Sequence, residues 1–134
     1  MLRKSALFKD VECHVIPNII PQNIFFKKNK ELCRKTLNMD IKKKIIGFGA
    51  ANNISLKNSI KGEKQLLDAL NKLDNIENIQ LLIFGPASDE FIKNVHFPCI
   101  FTGNMENKDI LSAIYNCLDV FVCPSIIENL PTTC

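Results

Sequence analysis

The chain has 134 residues, 46% hydrophobic and 23% charged, which is ordinary globular sequence on the scale of one domain. That composition excludes a chain disordered throughout. Seventeen Lys and Arg against 14 Asp and Glu leave a net charge of +3, too small a surplus for the basic stripe that duplex nucleic acid requires, so no nucleic-acid partner is expected.

No apolar run approaches the roughly 18 residues of a membrane-crossing helix. Ala6-Leu7-Phe8 is broken at once by Lys9 and Asp10, so the N-terminus does not read as a signal peptide. Six cysteines occur, at Cys13, Cys33, Cys99, Cys117, Cys123 and Cys134, with no C-x-x-C pair among them. In that context they read as reduced thiols and not as a metal site or a disulfide framework.

In chain order, residues 11–16 read as a strand, Pro17 and Pro21 bracket a turn, and 29–37 predict a short helix with Leu32, Cys33 and Leu37 on one side. These belong to a lead-in segment, 1–40. Residues 41–134 predict a core of alternating strands and helices. Lys44-Ile45-Ile46-Gly47-Phe48-Gly49 is a short apolar run ending in glycine, the pattern of a buried strand. Residues 61–73 carry Leu66, Leu67, Leu70 and Leu73 at helical spacing.

Residues 79–84 form a second buried strand, closed by Gly85-Pro86. Ser88 caps a short helix to 94, with Phe91, Ile92 and Val95 inward. Residues 99–102 are a third strand ended by Gly103. Asn107 caps a helix whose apolar face is Ile110, Leu111, Ile114, Tyr115 and Leu118, and residues 120–123 are a fourth strand stopped by Pro124. This alternation predicts an α/β fold with a parallel sheet and flanking helices. No covering helix follows the last strand, so the sheet is expected to be incomplete at its C-terminus, a piece of something longer.

In a parallel sheet, ligands bind at the carboxyl ends of the strands. The loop after Gly49 runs to Lys61-Gly62 at the start of a helix. A lysine opposes the positive end of a helix dipole, and an anion bound there reverses that sign. An ammonium, a close-approach glycine and first-turn N–H groups together suit a phosphate. The same pair also fits a solvated lysine before a helix-starting glycine. Neither a G-x-x-x-x-G-K-[ST] loop nor a G-x-G-x-x-G fingerprint is present.

Glu128 lies beyond the last strand's carboxyl end, where a carboxylate can accept a pair of sugar hydroxyls. It equally fits a surface acid before a helix. His14 and His96 have no acid or nucleophile at motif spacing, and His96, in an apolar turn, reads as structural. Asp119 reads as a structural hydrogen-bonding partner. Nine Phe and Tyr115 read as core and not as a base-stacking platform.

Several of these segments, in this order, match a known family. They are Val15-Ile16-Pro17-Asn18, Phe48-Gly49-Ala50, Lys61-Gly62, Ile83-Phe84-Gly85 and Phe101-Thr102-Gly103. Tyr115 through Asp119-Val120-Phe121-Val122 follows, then Pro124-Ser125 and Glu128-Asn129-Leu130-Pro131. The ordered set resembles the donor-binding C-terminal half of family 4 glycosyltransferases of the GT-B type, which implies a Rossmann-like sheet.

By that resemblance Lys61, flanked by Gly62 and the strand-end Gly49, contacts the diphosphate of a nucleotide-sugar. Glu128 is the first acid of a Glu-x7-Glu signature and binds donor hydroxyls. Thr132 and Thr133 offer backbone N–H groups to the phosphates, and the turn from Gly103 to Met105 lies beside the nucleotide base. The second signature acid falls at position 136, past the last residue. Ala50 and Ile60 stand where the family often has Arg, leaving Lys57 as the substitute.

The resemblance implies transfer of a hexose from a nucleotide-sugar to a saccharide or lipid-linked acceptor, as in polysaccharide biosynthesis. It implies no cofactor and no metal, and no D-x-D pair occurs. It places the parent in the cytoplasm or at the inner membrane face, with peripheral membrane association. The acceptor-binding half lies outside these residues, so the chain alone is expected to be inactive. A GT-B sugar-nucleotide epimerase and a non-catalytic phosphate- or partner-binding module are the alternatives.

Overall fold

The computed structural model describes residues 6–7, 10–12, 14, 16–50, 54–57, 61–74 and 76–126. Its elements are α1 (Lys30–Thr36), β1 (Lys44–Gly49), α2 (Glu63–Leu70), β2 (Ile79–Phe84), α3 (Asp89–Lys93), β3 (Cys99–Gly103), α4 (Lys108–Cys117) and β4 (Val120–Phe121). A 3₁₀ turn, Ile76–Asn78, leads into β2. The four strands form one parallel sheet in the order β3-β2-β1-β4. This is the parallel α/β sheet that the alternating pattern predicts, and the Rossmann-like fold that the resemblance implies.

Strand alternation divides the core into two layers. On β2, Leu81 and Ile83 face one side with Phe48 of β1, where Leu66, Leu67 and Leu70 of α2 and Phe91 of α3 close over them. Leu82 and Phe84 face the other side with Ile45, under Ile114 and Cys117 of α4 and Cys33 of α1. Each fully buried Leu, Ile or Phe contributes roughly 1.5–3 kcal/mol relative to exposure. Side-chain caps start three helices: Asn29 accepts from Leu32 N–H, Ser88 from Phe91 N–H, and Asn107 from the N–H groups of Asp109 and Ile110.

Several expectations fail for physical reasons. The described residues of 11–16 form no strand, and Val11 and Ile16 are exposed; apolar alternation makes a strand only where a sheet edge receives it. The turn near Pro17 and Pro21 falls after Pro21, whose carbonyl accepts from Ile24 and Phe25 N–H. The second helix begins two residues later than predicted, because Gly62 is left-handed, and ends at Leu70, so Leu73 is exposed. Leu32, Ile92 and Ile110 face solvent, and His96 is exposed. Only two residues of 120–123 pair as strand, though Val122 N–H still reaches the Gly47 carbonyl.

On α1 the buried neighbour of Cys33 is Arg34. Its Nε donates to the Cys117 carbonyl (2.9 Å), and Nη1 donates to the carbonyls of Ile41 (3.3 Å) and Lys43 (3.1 Å). Nη2 donates to Asp119 Oδ2 (2.7 Å). Asp119 also accepts from Ile45 N–H (2.8 Å) and from Lys30 Nζ (3.0 Å). Asp119 is thus the structural hydrogen-bonding partner that its position predicts. Burial disfavours its charge, but the bonds from Ile45, Lys30 and Arg34 outweigh burial and hold the carboxyl well below the usual carboxylate range.

Cys33, Cys99, Cys117 and Cys123 are free thiols. Burial pushes the Cys99 thiol up to about 12. Burial, reinforced by the neighbouring Cys33, pushes Cys117 up to about 11.

Two measurements test this account. Arg34→Met takes from Asp119 its most buried cation and from the carbonyls of Cys117, Ile41 and Lys43 their side-chain donor, and is expected to cost about 3–5 kcal/mol, the range for removing one partner of a buried pair, read by urea unfolding at neutral pH. Because the folded pKa of Asp119 lies below its unfolded value of about 3.9, its contribution is complete above that value and is lost as pH falls toward the folded one. Asp119→Asn should therefore flatten the acid limb of the stability curve. For the thiols, alkylation at mildly alkaline pH followed by peptide mapping should label exposed Cys123 before Cys33, Cys99 and Cys117.

Candidate functional site

The carboxyl ends of the strands line up as Gly103, Phe84-Gly85, Gly49-Ala50 and, past β4, Pro124. Backbone bonds knit this edge together. Ala50 N–H donates to the Phe84 carbonyl (3.1 Å), Gly85 N–H to the Gly103 carbonyl (2.8 Å), and Ile54 N–H to the Pro86 carbonyl (2.7 Å). Gly85, at φ +112, lies against the Ala50 carbonyl, where a Cβ has no room.

A cleft of about 770 Å³ opens at this edge, bounded by the lead-in segment on one side and α4 on the other. Its floor is Gly49, Ala50, Phe84 and Gly85, and Met105 closes the end beside β3. A Cβ on Gly49 would drive into the Phe84 ring. Phe84 meets Tyr115 edge-to-face at 5.3 Å, and Phe25 approaches Tyr115 at 6.4 Å. Part of the aromatic set that reads as core in sequence is therefore cleft wall.

Two polar residues one turn apart on α4 hold the lead-in segment over the cleft. Ser112 Oγ donates to the Ile24 carbonyl (2.7 Å). Asn116 Nδ2 donates to the Phe26 carbonyl (3.0 Å), and its Oδ1 accepts from Lys28 N–H (2.7 Å). Sequence reading passed over both. Their signal is polar residues at i and i+4 beside the apolar face of a helix.

The predicted site residues separate into three groups. Gly49 and Met105 line the cleft. Lys61 and Gly62 sit beyond β4's carboxyl end: Gly62, at φ +77, lies against the Pro124 carbonyl, and a Cβ there would collide with it. The lysine-glycine junction and the loop that leads toward Glu128, separate in sequence, thus begin side by side. Glu128, Thr132 and Thr133 lie outside the described residues.

Buried Glu63 occupies the first turn of α2, where a carboxylate suits the positive helix end. Among the described residues no group of three or more His, Cys, Asp and Glu side chains converges on a possible metal position.

The model of the family described as glycosyl transferases group 1 matches residues 29–134. The chain belongs to the group 1 glycosyltransferases. Among solved structures, this group 1 chain is similar to the C-terminal domain of a glycosyl transferase group 1 family protein (LpcC) from Francisella tularensis. The TM-score is 0.61 at 20% identity, over 81% of this chain and 60% of that one. At that identity the likeness speaks for the fold, and the chain spans under two thirds of that solved domain. No curated protein matches the chain.

Gly62 supplies the test of this junction. Gly62→Ala places a Cβ in the left-handed region and against the Pro124 carbonyl, a strain of roughly 1–3 kcal/mol. Thermal unfolding should show the loss, and hydrogen exchange should localise it to α2 and the end of β4. Gly103, also left-handed but with nothing near its missing Cβ, should tolerate Ala better.

Proposed function

We propose that this chain is the donor-binding part of a family 4-type glycosyltransferase that transfers a hexose from a nucleotide-sugar to a saccharide or lipid-linked acceptor on the cytoplasmic side. The observation that carries the reading is the contact between Gly62 and Pro124. It brings Lys61 and the positive end of α2 to the strand end from which the chain runs on toward Glu128.

In that arrangement the diphosphate of the donor lies at Lys61 and the α2 terminus. The ammonium and the helix dipole oppose the charge that develops on the leaving group as the glycosidic bond to phosphate breaks. Preorganised charge of this kind stabilises the transition state without reorganisation at the moment of reaction. The cleft floored by Gly49 and Phe84 and ended by Met105 is mostly apolar, with a few polar groups at its rim, as sites for flat ring systems are. It receives the base of the nucleotide. Glu128 takes donor hydroxyls, and Thr132 and Thr133 add backbone N–H groups to the phosphate. Transfer also needs an acceptor held at the donor carbon, so this chain alone binds donor without turning it over.

Calorimetric titration of a nucleoside diphosphate into the wild-type chain, Lys61→Ala and Lys43→Ala tests the assignment. Lys43 directly precedes β1 at its amino end, on the far side of the sheet from the cleft. Lys61→Ala is expected to cost on the order of 1.5–3 kcal/mol, the scale of a charge-assisted hydrogen bond. Lys43→Ala should change binding by less than about 0.5 kcal/mol. Equal losses for the two, or a larger one for Lys43→Ala, would place the phosphate elsewhere.

A further inference from the structure

The cleft is uneven in charge. Its floor at the strand ends carries none, and Met105, Leu111 and Tyr115 continue an apolar lining. Among the described residues one charged side chain lines this cavity, Lys27 of the lead-in segment, and no acid does. Lys27 is exposed and enters no ion pair.

Local geometry fixes where this residue stands. The Phe26 carbonyl accepts from Asn116 Nδ2 (3.0 Å), and Lys28 N–H donates to Asn116 Oδ1 (2.7 Å). These groups belong to the two peptides on either side of the Lys27 Cα. One side-chain amide therefore sets both peptide planes, and with them the direction in which the Lys27 side chain leaves the backbone. The amide is held in turn by α4, because its Nδ2 also donates to the Ser112 carbonyl (2.9 Å). The neighbouring lysine is committed elsewhere: Lys28 Nζ sits 5.0 Å over the Phe26 ring.

A cation on the wall of a mostly apolar cleft, with no carboxylate beside it, selects a ligand that brings its own negative charge to that point. Lys61 does not line the cleft; it lies by Gly62 at the start of α2, beyond β4. One cation inside the cleft and one outside it suit a ligand with an apolar ring system and two successive anionic groups.

We propose that Lys27 binds the phosphate joined directly to the nucleoside of the donor, which makes the lead-in segment part of the donor site. This rests on the reading of the cleft as the seat of the nucleotide base. The nucleoside fills the cleft, its first phosphate meets the Lys27 ammonium, and the second continues to Lys61. Asn116 is the positioning residue that holds Lys27 to this task.

Calorimetric titration of the 134-residue chain with the mono- and diphosphates of uridine, guanosine and adenosine selects the base that binds most tightly. That pair is then titrated into Lys27→Gln, Lys27→Arg, Lys35→Gln and Lys61→Ala. Lys27→Gln is expected to weaken the monophosphate and the diphosphate alike by about 10-fold, the low end for a charge-assisted hydrogen bond because the ammonium is exposed. Its thermal transition should stay at wild type, and Lys27→Arg should recover most of the loss. Lys35→Gln, which removes the same charge from α1 outside the cleft, should leave both affinities unchanged. In NMR titrations at millimolar concentration, Lys27→Gln should hold the uncharged nucleoside no worse than wild type does.

Wild-type affinities in Lys27→Gln alongside a loss in Lys61→Ala would overturn this proposal and leave the donor-site reading standing. A loss in Lys27→Gln confined to the diphosphate, shared by the nucleoside, or matched by Lys35→Gln would overturn it too. Those results would put the ammonium on the second phosphate, put it on the base, or reduce the effect to net charge. A loss in Lys27→Gln with none in Lys61→Ala would support the proposal and take the diphosphate away from α2. If the wild-type chain binds none of these nucleotides, this proposal and the donor-site reading fall together.

Discussion

A buried guanidinium holds this domain together at the amino end of its sheet. Arg34 reaches the last residue of α4, the loop before β1 and the residue before β4 through one side chain. Its planar fork satisfies three carbonyls and a carboxylate at once, which the point charge of a lysine does not. A buried charge is tolerable only when its donors are matched. The carbonyls of Cys117, Ile41 and Lys43 do much of that matching, and Asp119 supplies the counter-charge. The Asp119 carboxylate in turn takes the first N–H of β1 beyond Lys44, so sheet register and helix position are set by one polar cluster.

At the opposite end of the strands the constraint is steric. Glycines at 49, 62 and 85 each sit where a Cβ would strike a ring or a carbonyl. Chain segments approach one another there more closely than side chains allow. A ligand at this edge therefore meets backbone and helix terminus directly, while charge at the amino end is kept for holding the fold. In the proposed reading the two ends divide their work: one grips a diphosphate and a base, the other holds strands and helices in register.

Much of the fold was legible because its signals are local. β1 and β2 run from Lys44 to Gly49 and from Ile79 to Phe84 as their apolar runs and closing glycines predict. Ser88 and Asn107 cap as their side chains dictate. What failed needed non-local information. Periodicity alone does not show that Arg34 is inward and Leu32 outward, because carbonyls from elsewhere in the chain make Arg34 the better buried residue. The apolar residues of 11–16 have strand character, yet a strand requires a partner edge. For the site, sequence order put Lys61-Gly62 and Pro124 far apart, and only the adjacency of β1 and β4 brings them together. Phe84 and Tyr115 carry no mark in sequence that separates cleft wall from core.

The clamp on the lead-in segment has a mechanical meaning. Ser112 and Asn116 grip residues 24–28 at three points, so that stretch turns with α4 as one body. Torque applied to the chain ahead of Pro21 is spent in bending residues 16–20, or else it is delivered to α4. The helix that would receive it also carries Tyr115, and Tyr115 walls the cleft. The grip on the lead-in and the shape of the cavity therefore reside on the same two turns of helix, and a pull on one is a deformation of the other.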